Sequence, residues 1–389
     1  MDNGLNDILQ QVDRLCDDAR LSCVREWKDR TGGLAIGYQP IFAPRELLHA
    51  QGVLPVGLMG GGETLEVIRG DAYFQSYICR LPRSTLELAH SGRLDCLDGM
   101  LFPATCDVLR NLSGMWRILF PTQLVIYLDL PQSTDRAVGE AFLRQALEDL
   151  AAELAARGAR PLADETLRRS LARYNENRRL LRRLFALRQR APWKVPTSEL
   201  YRLQRAGLVI PVEQHTRLLA AYCRTVESAS HRQPRDEARV VLVGCFCEQP
   251  PLALLRAVEQ SGCYVVDDDL VQVQRWHTRE VPSGGDPLAN YVRSSLHHAL
   301  PTATRFAEGS ARRRGLVNRV RRCGAEGVIF CSASFCDPAL LDQPLAAAEL
   351  DRAGIPWTAF QYSENSGQTQ MIREQIGTFA DSLRLWSSA

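Results

Sequence analysis

The sequence predicts an α/β protein with two Rossmann-like parallel sheets, a helical N-terminus and a helical connecting region. Three observations predict it. Short strand-type apolar runs, LAIGYQ (34–39), LPVGLM (54–59) and LVIYLDLP (124–131), alternate with helix-length segments, the pattern of a parallel sheet. The same alternation resumes with ARVVLVGC (238–245), CYVVDDD (263–269), GVIFCSAS (327–334) and WTAFQYSEN (357–365). A mostly helical stretch lies between the two sets, and 389 residues are too many for one ordinary core.

Taken in order, residues 5–30 carry Leu5, Ile8, Leu9, Val12, Leu15 and Cys16 at helical spacing, which predicts one amphipathic helix within an N-terminal segment 1–32. Cys16 and Cys23, near its apolar face, read as core thiols. A first α/β domain follows over 33–132. Its helix at 43–52 stops at Gly52, and its strand at 54–59 runs into Gly60-Gly61-Gly62. That glycine loop either brings the backbone close to a phosphate or makes a tight turn. It is neither G-x-G-x-x-G nor a Walker A loop, so nucleotide binding by this chain has no motif behind it. Helix 83–92 precedes the strand-type run Met100–Phe102. Residues 133–230 form the helical region, with helices at 135–157, 164–190 and 211–227. The polar, proline-containing SASHRQPRDEA (228–238) marks the boundary to a second α/β domain, 231–389. Helices at 251–261, 338–353 and 368–385 complete it.

Composition bounds the function. Hydrophobic content of 45% and charged content of 24% are those of a soluble globular protein. No run approaches about 18 apolar residues, so no membrane-spanning helix is expected. The start, MDNGLNDILQQ, has acids where a signal peptide carries positive charge, and the expected compartment is the cytoplasm. A net charge of +2 gives no reason to expect nucleic acid. Of the 47 basic residues only Lys28 and Lys194 are lysine, so arginine-rich stretches carry little weight individually. Between Arg168 and Arg190 stand nine arginines and one acid, Glu176. They form either a solvated helix face or a surface for coenzyme phosphates or an acidic partner, and Arg312-Arg313-Arg314 is open to the same two readings.

The chemistry-bearing residues are thiols. LDGMLFPATCD (97–107) and GVIFCSASFCD (327–337) each pass from a strand-type run through small residues to a Cys-Asp pair, Cys106-Asp107 and Cys336-Asp337. Ligands in open α/β sheets sit beyond the carboxyl ends of strands. With Cys79 in SYICRLPRS, three thiols on three loops could meet between the sheets and hold one iron–sulfur cluster with one iron free. GCFCEQPP adds Cys245 and Cys247 at a strand end that opens a helix; they are expected to face the same crevice as further iron ligands, against the alternatives of packing or a redox pair. The twelve cysteines lack the C-x₂-C pair that zinc prefers. Cys223, Cys263, Cys323 and Cys331 read as core. Asp267-Asp268-Asp269 is either a divalent-metal or ribose site or a solvated strand end, and no Ser-His-Asp arrangement can be placed.

The stretches PIFAPRELLHAQGVLPVGLMGG, SYICRLPRS, LDGMLFPATCD, YLDLPQS, FCDPALLD and AGIPWTAF, in this order, resemble the family of 2-hydroxyacyl-CoA dehydratases and class I, ATP-dependent benzoyl-CoA reductases over essentially the whole chain. GCFCEQPPL, GCYVVDDDL and YSENSGQTQMIREQIGTFADSLRLW look closer to the smaller catalytic-module subunit of the reductases. The resemblance implies a cytoplasmic iron–sulfur enzyme subunit, paired with a larger homologous catalytic subunit, that reduces benzoyl-CoA by two electrons to a cyclohexadiene-carbonyl-CoA. It implies cluster thiols at Cys79, Cys106 and Cys336, in a 4Fe–4S cubane or, with Cys245 and Cys247, an 8Fe–9S double cubane. ATP would be hydrolysed by separate iron–sulfur activator subunits, with ferredoxin as electron donor, and not by this chain. The alternatives are a dehydratase subunit forming an enoyl-CoA, or a non-catalytic iron–sulfur relay. Glu248, Glu364, Asp107 and Asp337 are the strand-end acids within reach as proton donors.

Overall fold

The computed structural model describes residues 3–39, 41–61, 65–132, 135–229, 232–304, 309–363 and 369–387. The chain opens with two helices, α1 (Asn3–Cys16) and α2 (Ser22–Thr31), where the periodicity predicts one. Asp18 breaks it: its carboxylate accepts from the backbone N–H groups of Arg20 and Ser22, and Leu21 takes a left-handed conformation with φ 51°. Side-chain bonds of this kind compete with helix propagation and start a new helix instead.

The first sheet contains β1 (Ala35–Tyr38), β2 (Leu54–Gly57), β3 (Gly99–Pro103) and β4 (Leu124–Leu128), all parallel, in the order β2-β1-β3-β4. The second contains β5 (Ala238–Val243), β6 (Cys263–Asp268), β7 (Gly327–Ala333) and β8 (Trp357–Tyr362), also all parallel, in the order β6-β5-β7-β8. Both sheets thus have the same topology. In each, the strand order reverses between the first and third strands, and that switch point is where open α/β sheets bind ligands.

Helices α3 (Arg45–Ala50), α4 (Arg80–His90) and α5 (Asp107–Leu119) belong to the first sheet. Between the sheets run α6 (Arg136–Ala156), α7 (Asp164–Arg190), α8 (Thr197–Ala206) and α9 (Val212–Ser228). The second sheet is accompanied by α10 (Leu252–Gln260), α11 (Pro287–His297), α12 (Gly309–Cys323), α13 (Asp337–Arg352) and α14 (Thr369–Ser387). Helix α1 packs on α8 and α9, placing Leu5 and Val12 in a cluster with Leu184, Leu200 and Val226. A larger apolar cluster is continuous from Ile36 and Phe102 of the first sheet to Leu242 and Ile329 of the second.

A buried polar knot fastens the same two halves. Arg178 of α7 donates to Glu46 of α3 at 2.7 Å and to Asn175, while Arg45 donates to the carbonyl of Val273 at 3.0 Å. Burial alone would raise Glu46, but its bond to His277 and the charges of His277, Arg178 and Arg45 hold it down to about 2. The sheets therefore meet through an apolar core and a paired ionic one, which gives the loops at their carboxyl ends a fixed mutual position.

Candidate metal centre

Cys79, Cys106 and Cys336 occupy equivalent positions: each is the N-cap residue of a helix, α4, α5 and α13 respectively. A helix N-terminus presents unpaired N–H groups and partial positive charge, which favour a thiolate. Their sequence context explains the placement. The acids after two of them, Asp107 and Asp337, sit in the first turn where the helix dipole favours them, and Pro338 suits the early helix. Phe335, at φ 64°, turns the chain so that Cys336 caps α13.

All three thiols line one cavity of about 600 Å³, and Cys247 lines it too. Its wall includes Leu81, Pro82 and Leu109, and its mouth is fringed by the exposed Phe335, Leu341 and Leu345. Cys247 arrives on the loop after β5. Gly244 turns the chain with φ 101°, and its N–H donates to Asp269 at 3.1 Å. The Gln249 side chain then grips the loop, donating to the carbonyls of Cys245 (3.0 Å) and Cys247 (3.2 Å) and accepting from Val271 N–H (2.9 Å). Glu248, 2% exposed, accepts from the N–H groups of Arg80 (2.9 Å) and Leu81 (3.2 Å), while Tyr362 donates to its carbonyl.

The thiols sense one another. Cys247 donates to Cys336; that bond, followed by burial, raises Cys247, and the same bond lowers Cys336 against the pull of burial. Burial, then the neighbouring Glu248, Cys336 and Cys106, push Cys79 well up. Burial also raises Cys106, opposed by the N–H groups of Leu109 and Val108. Among the described residues no three His, Cys, Asp or Glu side chains close on a point as ligands of a single ion. Four thiols spread around a cavity suit a cluster, whose irons each take their own terminal ligand.

Cys245 is placed differently from the expectation. The strand ends at Val243 and the chain turns at Gly244, yet only Cys247 of the two thiols beyond that turn lines the cavity. Cys245 is fully buried, absent from the cavity wall, and hydrogen-bonded to Cys331 of β7; burial first and Cys331 second push its thiol well up. Of the four acids, Asp107 and Asp337 line the cavity. Glu248 is engaged by the start of α4, and Glu364 lies outside the described residues. Gln249 and Tyr362, which shape the loop, carry no sequence signal, and Asp269, read from the sequence as part of a metal or ribose site or a solvated strand end, instead holds the Gly244 N–H.

Several other sequence features resolve into structure. Asp267, Asp268 and Asp269 form no open cation or ribose site. Arg319 bonds Asp267 (2.9 Å) and Asp269 (2.7 Å), Arg188 pairs with Asp268 (2.6 Å), and Arg275 reaches Asp267 (3.3 Å) and Asp268 (3.1 Å). Burial would raise Asp267, but Arg319 and Arg275 outweigh it and hold it well below the usual range. On α7, Arg168 bonds the carbonyls of Ser283 and Gly285, Arg179 and Arg182 share Glu280, and Arg183 pairs with Glu227. The side chains of Arg312 and Arg313 lie outside the described residues, and Arg314 is exposed. Gly60 and Gly61 line a separate cavity of about 530 Å³ that shares no residue with the thiol cavity, and Gly62 is outside the described residues. Ser170, His49 and Glu213 do form a chain of contacts at 2.9 and 3.1 Å. Ser170 donates its proton to the Glu46 carbonyl, however, so His49 does not receive it as a general base would.

Comparison with known proteins places the chain in a family. Residues 40–383 match the family model described as 2-hydroxyglutaryl-CoA dehydratase, D-component. The chain belongs to that family. It is 47% identical to a benzoyl-CoA reductase subunit of Thauera aromatica, over 98% of this chain and 99% of that one. It is 28% identical to the beta subunit of lactoyl-CoA dehydratase of Anaerotignum propionicum, over 92% of this chain and 94% of that one. It is also 28% identical to the beta subunit of (R)-2-hydroxyglutaryl-CoA dehydratase of Acidaminococcus fermentans, over 90% and 93%. These relatives are subunits of enzymes acting on acyl-CoA thioesters, and the family resemblance read from the motifs holds. Among the described residues no helix is long and apolar enough to cross a membrane.

Proposed function

We propose that this chain is an iron–sulfur subunit of an ATP-dependent benzoyl-CoA reductase, and that Cys79, Cys106, Cys336 and Cys247 hold its cluster. The observation that carries the reading is the meeting of four thiols from four loops at one cavity between two sheets. The 47% identity to the benzoyl-CoA reductase subunit, against 28% for the two dehydratase subunits, favours reduction over dehydration.

The donor set fits the group. Thiolates suit iron–sulfur clusters, and a coordinating thiol is deprotonated outright, which overrides the upward push of burial. Three helix N-termini aim partial positive charge at the cavity and offset the charge of the thiolates. When bound, such a cluster supplies single electrons at low potential. The chain's own residues hold it, exclude water along Leu81, Pro82 and Leu109, and keep acids beside it. Reduction of benzoyl-CoA to a cyclohexadiene-carbonyl-CoA takes two electrons and two protons, and of the acids on the cavity wall, Asp107, Asp337 and Asp342, the first two follow cluster thiols directly and are the proposed proton donors.

A larger homologous subunit is the natural partner for the exposed Phe335, Leu341 and Leu345 at the cavity mouth. ATP-hydrolysing iron–sulfur activator subunits, fed by ferredoxin, deliver the electrons in the cytoplasm. The second reading, a 2-hydroxyacyl-CoA dehydratase subunit, is supported by the family model itself. Turnover of the assembled complex with benzoyl-CoA and with a 2-hydroxyacyl-CoA decides between them. Ring reduction with ATP consumption supports the reductase; enoyl-CoA formation with benzoyl-CoA untouched supports the dehydratase.

A further inference from the structure

The thiol cavity contains enough cysteine to close a cubane. Three thiols stand at the N-caps of α4, α5 and α13, and the fourth, Cys247, comes from the independent loop after β5. Cys247 is not a loose addition. Asp269 holds the Gly244 N–H, Gln249 the carbonyls of Cys245 and Cys247, and Tyr362 the carbonyl of Glu248, and Cys247 lines the cavity with Cys336. Glu248 also ties the loop to the first turn of α4, directly after Cys79. A thiol that only packed behind the loop would need none of this alignment with the other three. Cys245, two residues earlier, faces Cys331 in the core and leaves no fifth thiol on the cavity wall among the described residues.

Resting on the cluster assignment above, we infer that Cys247 is the fourth ligand of a single 4Fe–4S cubane, so that every iron in this chain carries a cysteine. Four irons take four terminal ligands, and the cavity presents four thiols. No iron would be left for the thioester carbonyl to bond, and among the described residues no further thiol on the cavity wall remains for a second cubane. A cluster so held would supply single electrons without an iron–substrate bond. The chain's contribution to specificity is then the shape and acidity of the cavity wall, not inner-sphere binding.

The test uses the full chain, purified anaerobically, as wild type, Cys247→Ala, Cys247→Ser and Cys245→Ala. Iron is counted and Mössbauer and electron paramagnetic resonance spectra are recorded before and after mild ferricyanide oxidation. Wild type and Cys245→Ala are expected to keep about four irons per chain. Cys247→Ala is expected to lose about one iron in four on oxidation and to show a three-iron signal. Cys247→Ser keeps its iron with one site shifted, which separates loss of a ligand from loss of the fold. A three-iron signal from oxidised wild type, or an unchanged Cys247→Ala spectrum, overturns the inference while the three-thiol cluster stands. Iron loss in Cys245→Ala equal to that in Cys247→Ala also overturns it. A wild-type chain without iron or sulfide removes the cluster assignment itself.

Discussion

The Glu248 carboxylate accepts hydrogen bonds from the backbone N–H groups of Arg80 (2.9 Å) and Leu81 (3.2 Å), so the residue after Cys247 holds the two residues after Cys79. The contact joins a loop of the second sheet to the N-terminus of a helix of the first. A carboxylate at a helix N-terminus satisfies orphan donors and opposes the helix dipole. Glu248→Ala is expected to lower stability by about 2 kcal/mol and to reduce iron retention, because two charged hydrogen bonds are lost. Glu248→Gln keeps an acceptor and should lose less on both counts. Denaturant unfolding of the iron-free chain and iron analysis of the reconstituted chain measure the two effects separately; equal behaviour of Ala and Gln variants would remove the positioning role.

Arg188 and Asp268 form an ion pair with both side chains 1% exposed, whereas Arg182 and Glu280 pair on the surface. Removing Arg188 leaves the buried Asp268 with Arg275 alone, so Arg188→Met should cost more than about 1 kcal/mol but less than the roughly 3–5 kcal/mol of a fully broken buried pair. Arg182→Gln should change stability by less than about 1 kcal/mol. It should also leave the KM of the assembled complex for its thioester unchanged, because α7 spends its arginines on Glu280, Glu227 and backbone carbonyls. A raised KM would return the coenzyme-phosphate reading of this helix.

His215 is fully buried and neutral, accepting from Asn177 and donating to the Leu203 carbonyl. Burial, reinforced by Arg45, lowers it from 6.5 to about 3. Between those values the unfolded chain binds a proton that the folded chain does not. Stability is therefore fully present above pH 6.5 and falls as pH drops towards 3, by up to roughly 1.4 kcal/mol per pH unit from this group. Urea unfolding of wild type and His215→Gln across this window should show a shallower slope in the variant. Parallel slopes would mean that His215 does not titrate differently on folding.

Much of the architecture is legible in the sequence because the strands are short apolar runs alternating with helix-length segments. The positions of Cys106 and Cys336 follow from the same pattern. Other elements leave weaker traces. Helix α8 buries nine of its ten residues, polar ones included, so no apolar stripe marks it. Helix α12 reads as a charge run, GSARRRGLVNRVRRC. Cys245 packs against Cys331 while Cys247 lines the cavity, a difference that a two-residue spacing beyond a strand end does not reveal. The three aspartates at 267–269 look like an open site until their arginines arrive from α7, α12 and the 3₁₀ turn at 272–275.

The chain has no glycine-lysine phosphate loop, and its glycine loop shares no residue with the thiol cavity. ATP hydrolysis is expected to appear only when activator subunits are added. Phosphate release assayed with the isolated chain, and again with the complex, checks this; hydrolysis by the isolated chain would contradict it.

The central claim is that thiols from both sheets jointly hold one iron–sulfur cluster. The most direct measurement is iron and acid-labile sulfide in the anaerobically purified full chain, compared with Cys106→Ala from the first sheet and Cys336→Ala from the second. The account predicts about four irons and four sulfides per chain in the wild type and loss of the cluster signal in either variant. Full iron and an unchanged spectrum in either variant would contradict it.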